Sequence, residues 1–120
     1  MKAVILSIGQ ELTSGQTVDT NSAWLSQKLG ERGIETIEHR TVADQRRQIA
    51  DAIAESVKKV DLLIVTGGLG PTEDDLTRFA LADVLGVELV VDAAAMEHME
   101  AFFRGRGWRM SESNRVQAMA

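Results

Sequence analysis

The pattern of apolar and polar positions alternates between short apolar runs and longer stretches with helical periodicity. The apolar runs predict strands at residues 3–8, 34–42, 61–65 and 87–91. The helical spacing of apolar residues predicts helices at residues 22–32, 45–59, 76–85 and 93–104. Because strands and helices alternate, the chain is predicted to be a three-layer α/β/α domain with a mostly parallel sheet and right-handed crossovers. The first and third runs are continuously apolar, so we expect both strands to be buried.

The length of 120 residues is enough for one domain, and no repeat or linker divides it. Residues 1–120 are therefore predicted to form a single domain. It is expected to be truncated at its C-terminal end, because the polar, helical tail at residues 111–120 is followed by no closing strand. In the first helix, Trp24 shares a face with Leu25 and Leu29, so we expect it in the core.

A glycine-rich segment joins the third strand to the third helix, and we call residues 67–72, with the sequence GGLGPT, the glycine turn. Gly67, Gly68 and Gly70 lack a Cβ, so the backbone can take a positive φ and approach a ligand closely. Free N–H groups in such a turn can form an anion-binding nest, helped by the N-terminus of the next helix. Ligands of open parallel sheets bind at the carboxyl ends of the strands, where this turn lies.

Three acidic residues, Glu73, Asp74 and Asp75, follow the glycine turn directly. Carboxylates repel a phosphate unless a cation lies between them, and Mg²⁺ is suited to carboxylate, phosphate and water oxygens. The alternative is structural, because glycine-rich turns are common and Asp74 or Asp75 can cap the next helix. The segment matches neither the P-loop nor the dinucleotide-binding fingerprint, so the local pattern leaves both interpretations open.

Two further loops are expected at the same edge of the sheet. Residues 9–21 form a long polar connection that can bring Glu11, Asp19 and Asn21 to a ligand, although Asp19 and Asn21 are also good N-cap residues. Asp44 follows the second strand and is an N-cap candidate first and a site candidate second.

Composition and charge exclude several classes of function. A net charge of −5 and a pI of about 5.0 argue against a nucleic-acid-binding surface. The absence of cysteine excludes disulfides, a thiol nucleophile and a zinc–thiolate site, and the two histidines lack metal-binding spacing. No apolar run approaches the roughly 20 residues needed to span a membrane. We therefore expect neither nucleic acid nor membrane as a partner, and with no signal peptide in view a cytoplasmic location.

The combined motifs resemble the N-terminal domain of the CinA (competence/damage-inducible) family. The residues that carry the resemblance are residues 9–12 (GQEL), Gly15, residues 19–21 (DTN), the glycine turn, and residues 74–77 (DDLT). The resemblance runs along the whole chain. That domain is similar to the molybdopterin-binding fold of MoaB, MogA and gephyrin-type proteins, which agrees with the α/β architecture expected from the pattern.

The resemblance implies a metal-dependent pyrophosphatase that hydrolyses ADP-ribose to AMP and ribose 5-phosphate, while relatives bind molybdopterin. It places the family's functional acids at Asp44 and Asp75 and a phosphate-binding loop at the glycine turn. The cofactor it implies is a divalent metal ion such as Mg²⁺, Mn²⁺ or Co²⁺. The ligand is then a nucleotide diphosphate or a pterin phosphate. The positions expected to contact it are Gly67, Gly68, Gly70, Thr72, Asn21 and Thr77.

Elementary chemistry supports this reaction without assigning every role. Asp75, with Asp74 or Asp44, can hold a divalent ion, and Glu11 can orient the attacking water. The sequence does not distinguish which acid is a metal ligand and which is a base. Two other functions stay open, a molybdopterin- or nucleotide-binding module without turnover and a purely structural assembly domain. A homo-oligomer is expected from the resemblance, with apolar interface candidates Phe102, Phe103, Trp108 and Met110.

Overall fold

A computed structural model describes residues 1–119, without the side chain of Ser113. The strands in this range are β1 (Lys2–Ile8), β2 (Glu35–Val42) and β3 (Leu62–Thr66). The helices are α1 (Gln10–Thr13), α2 (Thr20–Glu31), α3 (Arg46–Val57), α4 (Thr77–Leu85) and α5 (Ala93–Gly105), followed by a 3₁₀ helix (Glu112–Ala118). Each predicted helix is present, and α1 is an additional turn of helix within the predicted loop.

The strands form a parallel sheet in the order β2-β1-β3. β1 lies in the centre, where Ala3 to Leu6 are fully buried, as its continuous apolar run predicts. Ser7 is aligned with Thr41 of β2 on one side and with Thr66 of β3 on the other. All three strands therefore end near the same edge of the sheet, and this alignment brings their following loops together.

The two faces of β1 pack against different helices, which confirms the predicted three-layer architecture. Leu6 and Ile8 lie in one apolar cluster with Ile49 and Ile53 of α3 and with Ala80 of α4. Side chains alternate between faces along a strand, and the intervening Ser7 instead contacts α2. Helices therefore cover both faces of the sheet around its central strand.

The predicted fourth strand and the burial of the third were wrong. Residues 87–91 form no strand: Val87 and Val90 are 56% and 63% exposed, and Val91 forms only an isolated antiparallel bridge with Met119. A strand needs a continuous neighbouring strand to pair with, and among the described residues this run has only that single bridge. β3 consequently lies at the edge of the sheet, and all five of its residues are only half-buried.

The position expected for Trp24 was also wrong, because its side chain is 57% exposed. The residue that α2 buries is Ser22, whose hydroxyl lies 3.0 Å from that of Ser7 on β1. Leu25 and Leu29 are half-buried on the same face of α2 as Ser22. Trp24 lies outside that face, where the ammonium group of Lys28 lies 5.7 Å from the ring centroid.

The C-terminal part follows the predicted pattern more closely. Asp92 caps α5 by accepting a hydrogen bond from the N–H of Ala95. Phe102, Phe103 and Trp108, three of the apolar interface candidates, form an edge-to-face cluster with ring centroids 5.7–6.2 Å apart. None of the helices among residues 1–119 is both long and apolar enough to pass through a bilayer.

Candidate functional site

The loops that follow the three strands touch one another at the predicted edge. After β1, the N–H of Gly9 donates to the carbonyl of Val42, 3.0 Å away at the end of β2. After β3, a Cβ built on Gly67 would lie only 2.2 Å from the carbonyl oxygen of Ile8. Backbone contact between these segments creates one continuous surface at the carboxyl ends of the strands, where parallel sheets bind ligands.

The glycine turn has the backbone conformation that its composition predicts. Gly67 and Gly68 have φ angles of +89° and +68°, in the left-handed region that favours glycine. Gly70 has no positive φ, so the need for glycine at this position has a different, steric cause. A Cβ at Gly70 would lie 2.7 Å from Oδ2 of Asp75, so glycine leaves room for that carboxylate to fold back against the turn.

Hydrogen bonds from the start of α4 occupy every carbonyl group of residues 67–70. Thr77 donates its hydroxyl to Gly67 over 2.6 Å and its N–H to Gly68 over 3.2 Å. The guanidinium group of Arg78 donates the other two bonds, 2.8 Å and 3.1 Å long, to the carbonyls of residues 69 and 70. The first four carbonyl oxygens of the turn thus all face α4.

The N–H groups of Gly68 and Leu69 therefore point away from α4, because C=O and N–H point in opposite directions in a trans peptide unit. In the described structure neither group donates a hydrogen bond. Two adjacent unpaired N–H groups, with the carbonyl oxygens held behind them, form the arrangement that binds anions. The turn thus has the outward N–H groups that an anion-binding nest requires, and phosphate binding there stays a prediction.

Asp75 lies against this turn as an ionised carboxylate. Its Oδ2 accepts hydrogen bonds from the hydroxyl and the N–H of Thr72, at 2.7 Å and 2.9 Å. The hydroxyl bond, followed by the N–H groups of Thr72 and Gly70 and the charge of Arg78, lowers the pKa of Asp75 despite partial burial. The carboxylate does not cap α4, because Leu76 occupies the N-cap position without a side-chain bond.

The other two acids after the turn are exposed. Glu73 and Asp74 form no hydrogen bond or ion pair within the described residues. No group of three or more histidine or acidic side chains in that range is arranged to hold a metal ion. The donor set near the turn therefore fits a divalent ion only if phosphate and water oxygens complete its coordination, which is how Mg²⁺ usually binds.

Glu11 and Asn21 meet at a small polar pocket of about 240 Å³ between α1, the start of α2 and the end of β3. Gly67 also lines this pocket, so the loop after β1 and the first residue of the glycine turn share it. Thr72 lies elsewhere, at a more apolar groove of about 470 Å³ that also contacts Phe79. Of the predicted ligand contacts, Asn21 and Gly67 therefore line one depression and Thr72 lines another.

The sequence first suggested that Asp44 caps α3, but this was wrong. Gln45 is the N-cap residue of α3, and it makes no side-chain cap hydrogen bond. The Oδ2 atom of Asp44 instead accepts a hydrogen bond of 3.1 Å from the N–H of Gln10. Asp44 thereby holds the start of α1, the helix that carries Glu11. Thr77, a predicted ligand contact, is 5% exposed and lies behind the turn with its hydroxyl engaged.

A serine–aspartate cluster beside the polar pocket was only partly foreseen. Asp19 caps α2 as predicted, accepting a bond from the N–H of Ser22. Its Oδ2 also accepts bonds from the hydroxyls of Ser22 and Ser7, at 2.6 Å and 2.8 Å. Ser7, a serine in an otherwise apolar central strand, could have indicated this cluster from the sequence, because a buried hydroxyl requires a hydrogen-bond partner. The cluster fixes the α2 terminus against the end of β1.

We expect protonation of the Asp19 carboxylate to destabilise the domain in acid. Burial opposes ionisation, but the bonds from Ser22 and Ser7 outweigh it and lower the pKa of Asp19 below its ordinary 3.8. The folded state then binds fewer protons than the unfolded state. The contribution of Asp19 to stability is therefore fully present above the ordinary pKa of 3.8 and is lost as the pH drops through the lowered pKa. Urea unfolding between pH 2 and 7 should show a weaker pH dependence for Asp19→Asn, which keeps a cap oxygen. Equal pH dependence in both proteins would contradict this role.

Comparison with known proteins agrees with the fold and the motifs. Residues 4–119 match the family model described as a probable molybdopterin binding domain. A protein named as competence-damage inducible from Levilactobacillus brevis is 43% identical over 119 residues, covering 99% of this chain and 29% of that protein. Its counterpart from Lysinibacillus sphaericus is 44% identical, with 99% and 28% covered. The chain thus spans less than a third of these curated relatives.

Solved structures show the same relationship. The CinA protein from Thermoplasma acidophilum superimposes with a TM-score of 0.87 at 27% identity, covering 99% of this chain and 70% of that one. MoaB from Thermus thermophilus superimposes with a TM-score of 0.67 at 20% identity, covering 99% and 72%, and shows a shared fold. The chain therefore belongs to the molybdopterin-binding domain family, and within that family it is a domain of the CinA type.

Proposed function

We propose that the domain binds the diphosphate group of a nucleotide at the glycine turn and hydrolyses ADP-ribose to AMP and ribose 5-phosphate. The proposal rests on one ionised carboxylate, Asp75, which lies against a turn whose N–H groups at Gly68 and Leu69 face outward. Neither N–H group has a hydrogen-bond partner among the described residues. Outward N–H groups suit phosphate oxygens, and an adjacent carboxylate suits a phosphate-bridging cation. CinA-type membership supports the same reaction by resemblance.

In this proposal the residues of the chain bind the diphosphate and move one proton. The N–H groups of Gly68 and Leu69 donate to phosphate oxygens, where negative charge increases during cleavage. Glu11, across the polar pocket from Gly67, accepts a proton from the attacking water. The water oxygen bonds to one phosphorus atom while the bridging oxygen leaves with the other phosphate. Asp44 keeps Glu11 in place by holding the first turn of α1.

A divalent metal ion fits the site only together with the ligand, because the described residues offer no complete set of protein donors. Asp75 and the exposed Asp74 are the residues that would hold it, with phosphate and water oxygens as the other donors. When bound, such an ion supplies neutralisation of the phosphate charge and polarisation of the reacting bond. Asp75 is suited to this task because its lowered pKa keeps it ionised at neutral pH.

We expect AMP to be released from ADP-ribose only when Mg²⁺, Mn²⁺ or Co²⁺ is present. The reaction can be followed by chromatographic separation of AMP and ribose 5-phosphate, and the folded state can be checked by circular dichroism in the same buffer. Chelation with EDTA should stop the reaction, and an excess of the metal should restore it. Release that is unaffected by EDTA would contradict the metal requirement, and the absence of release by the folded, metal-loaded chain would contradict hydrolysis.

The second candidate is a nucleotide- or pterin-phosphate-binding module without turnover. It is favoured by the absence of a three-acid metal cluster among the described residues and by the family's description as molybdopterin-binding. The same samples distinguish the two functions. Calorimetric binding of ADP-ribose or AMP without any product would support the module, whereas metal-dependent product formation would support the hydrolase.

A further inference from the structure

We propose that Arg78 is a positioning residue that holds the second half of the glycine turn and, through Gly70, places the carboxylate of Asp75. This inference rests on the proposed hydrolysis and assigns a separate task to each residue at the start of α4. Thr77 orients the part of the turn that binds the ligand. Arg78 orients the part against which the carboxylate of Asp75 lies.

The division follows from the peptide units that each side chain holds. Thr77 bonds the carbonyls of Gly67 and Gly68, and these belong to the peptide units whose N–H groups, at Gly68 and Leu69, face the ligand. Arg78 bonds the carbonyl of Leu69, which belongs to the unit containing the N–H of Gly70. That peptide unit lies against the Asp75 carboxylate, because a Cβ built on Gly70 would lie 2.7 Å from Oδ2 of Asp75. Arg78 therefore acts on Asp75 through one rigid peptide plane.

The second bond of the guanidinium extends this control toward Thr72. The bond of 3.1 Å to the carbonyl of Gly70 fixes the peptide unit that enters Pro71, where no N–H exists to hold the chain. Thr72 follows at once and gives Asp75 two hydrogen bonds. All the hydrogen-bond donors to the Asp75 carboxylate therefore lie in, or directly after, the segment that Arg78 holds.

The guanidinium group of Arg78 is free to donate to the two carbonyls, because no carboxylate forms an ion pair with it among the described residues. Arg40, in contrast, forms an ion pair of 2.6 Å with Glu55. Arg78 is half-buried, and its Nε is buried without a hydrogen-bond partner. A rigid fork that donates to two successive carbonyls is a property of arginine, and lysine can supply the charge but not both bonds in that geometry.

The test compares Arg78→Met and Arg78→Lys with Arg40→Met, a matched loss of one half-buried arginine outside the turn. We expect Arg78→Met to lower kcat for ADP-ribose by about tenfold or more, because a misplaced carboxylate loses its orientation. Its affinity for inorganic pyrophosphate should change less. Thr77→Val, which removes the bond to Gly67, should show the reverse pattern. Arg78→Lys should lie between Arg78→Met and the unchanged protein, and Arg40→Met should match the unchanged protein.

A readout independent of turnover is the hydrogen exchange of the Thr72 amide, which donates to Asp75 over 2.9 Å, measured by NMR. This amide should exchange faster in Arg78→Met and keep its normal rate in Arg40→Met. If the unchanged protein releases no AMP, the proposed hydrolysis is wrong and Thr72 exchange alone decides the role of Arg78. If Arg78→Met does not fold, Arg78→Lys is compared in the same way. Normal exchange of Thr72 in the folded Arg78 variant, or an unchanged kcat in an active protein, would overturn the inference.

Discussion

Replacement of Asp75 by asparagine should lower kcat/KM for ADP-ribose by about 100-fold or more, which is the effect of removing one essential charge at a reacting phosphate. Asparagine has nearly the same shape and keeps one oxygen that can accept hydrogen bonds from Thr72, as Oδ2 of Asp75 does. The glycine turn should therefore keep most of its geometry while it loses the charge. Steady-state kinetics with saturating metal would measure the effect.

A matched aspartate-to-asparagine change elsewhere provides the control. Asp51 is exposed on α3, where it pairs with Arg47 one helical turn away at 3.4 Å. Exposed pairs of this kind contribute little to stability, so Asp51→Asn should keep full activity. Activity of Asp75→Asn within a few-fold of the Asp51→Asn protein would show that Asp75 has only a structural role in the turn. The catalytic charge would then have to be sought at Asp44 or Glu11.

Replacement of Gly67 by alanine should lower the free energy of unfolding by about 3 kcal/mol or more and abolish pyrophosphate binding. A positive φ costs a residue with a Cβ about 1–2 kcal/mol, and Gly67 has a φ of +89°. The new Cβ would also lie 2.2 Å from the carbonyl oxygen of Ile8, which belongs to the buried central strand and cannot move aside. The turn must then separate from the end of β1, at a further cost of about 1–3 kcal/mol.

Gly33 allows the two contributions to be separated. It has a similar φ of +77°, but a Cβ built on it meets nothing within 4 Å. Gly33→Ala should therefore show the conformational cost alone. Urea unfolding of the two variants at neutral pH measures the difference, which reports the steric conflict with β1. Equal losses in the two variants would mean that the turn is not held against the end of β1 as the structure shows.

Local sequence was sufficient to predict the elements whose formation depends on their own residues. The apolar run of β1, the helical stripes and the glycine content after β3 each favour one backbone conformation, and the structure confirms them. The same holds for Asp19, which caps the helix that follows it. The meeting of the loops at one edge followed from the parallel sheet, because parallel strands present their carboxyl ends together.

The errors concern features that require a partner distant in sequence. Residues 87–91 have a strand-like composition but no neighbouring strand to pair with, so β3 remains an exposed edge. Trp24 has helical spacing appropriate to a core residue, but α2 turns Ser22 toward Ser7 of β1 and leaves Trp24 exposed. Neither outcome can be derived from periodicity, because periodicity does not identify which partner will be present.

By itself, then, the sequence determined that the chain forms a parallel α/β domain of the CinA type with a glycine turn and nearby acids at the sheet edge. Only the tertiary structure decided how those acids are used. Asp75 folds back onto the turn, Asp44 holds α1, and Arg78 bonds the carbonyls of the segment against which Asp75 lies. The physical reason is that hydrogen bonds are directional and short, so a side chain's task depends on the atoms that folding places within about 3 Å of it.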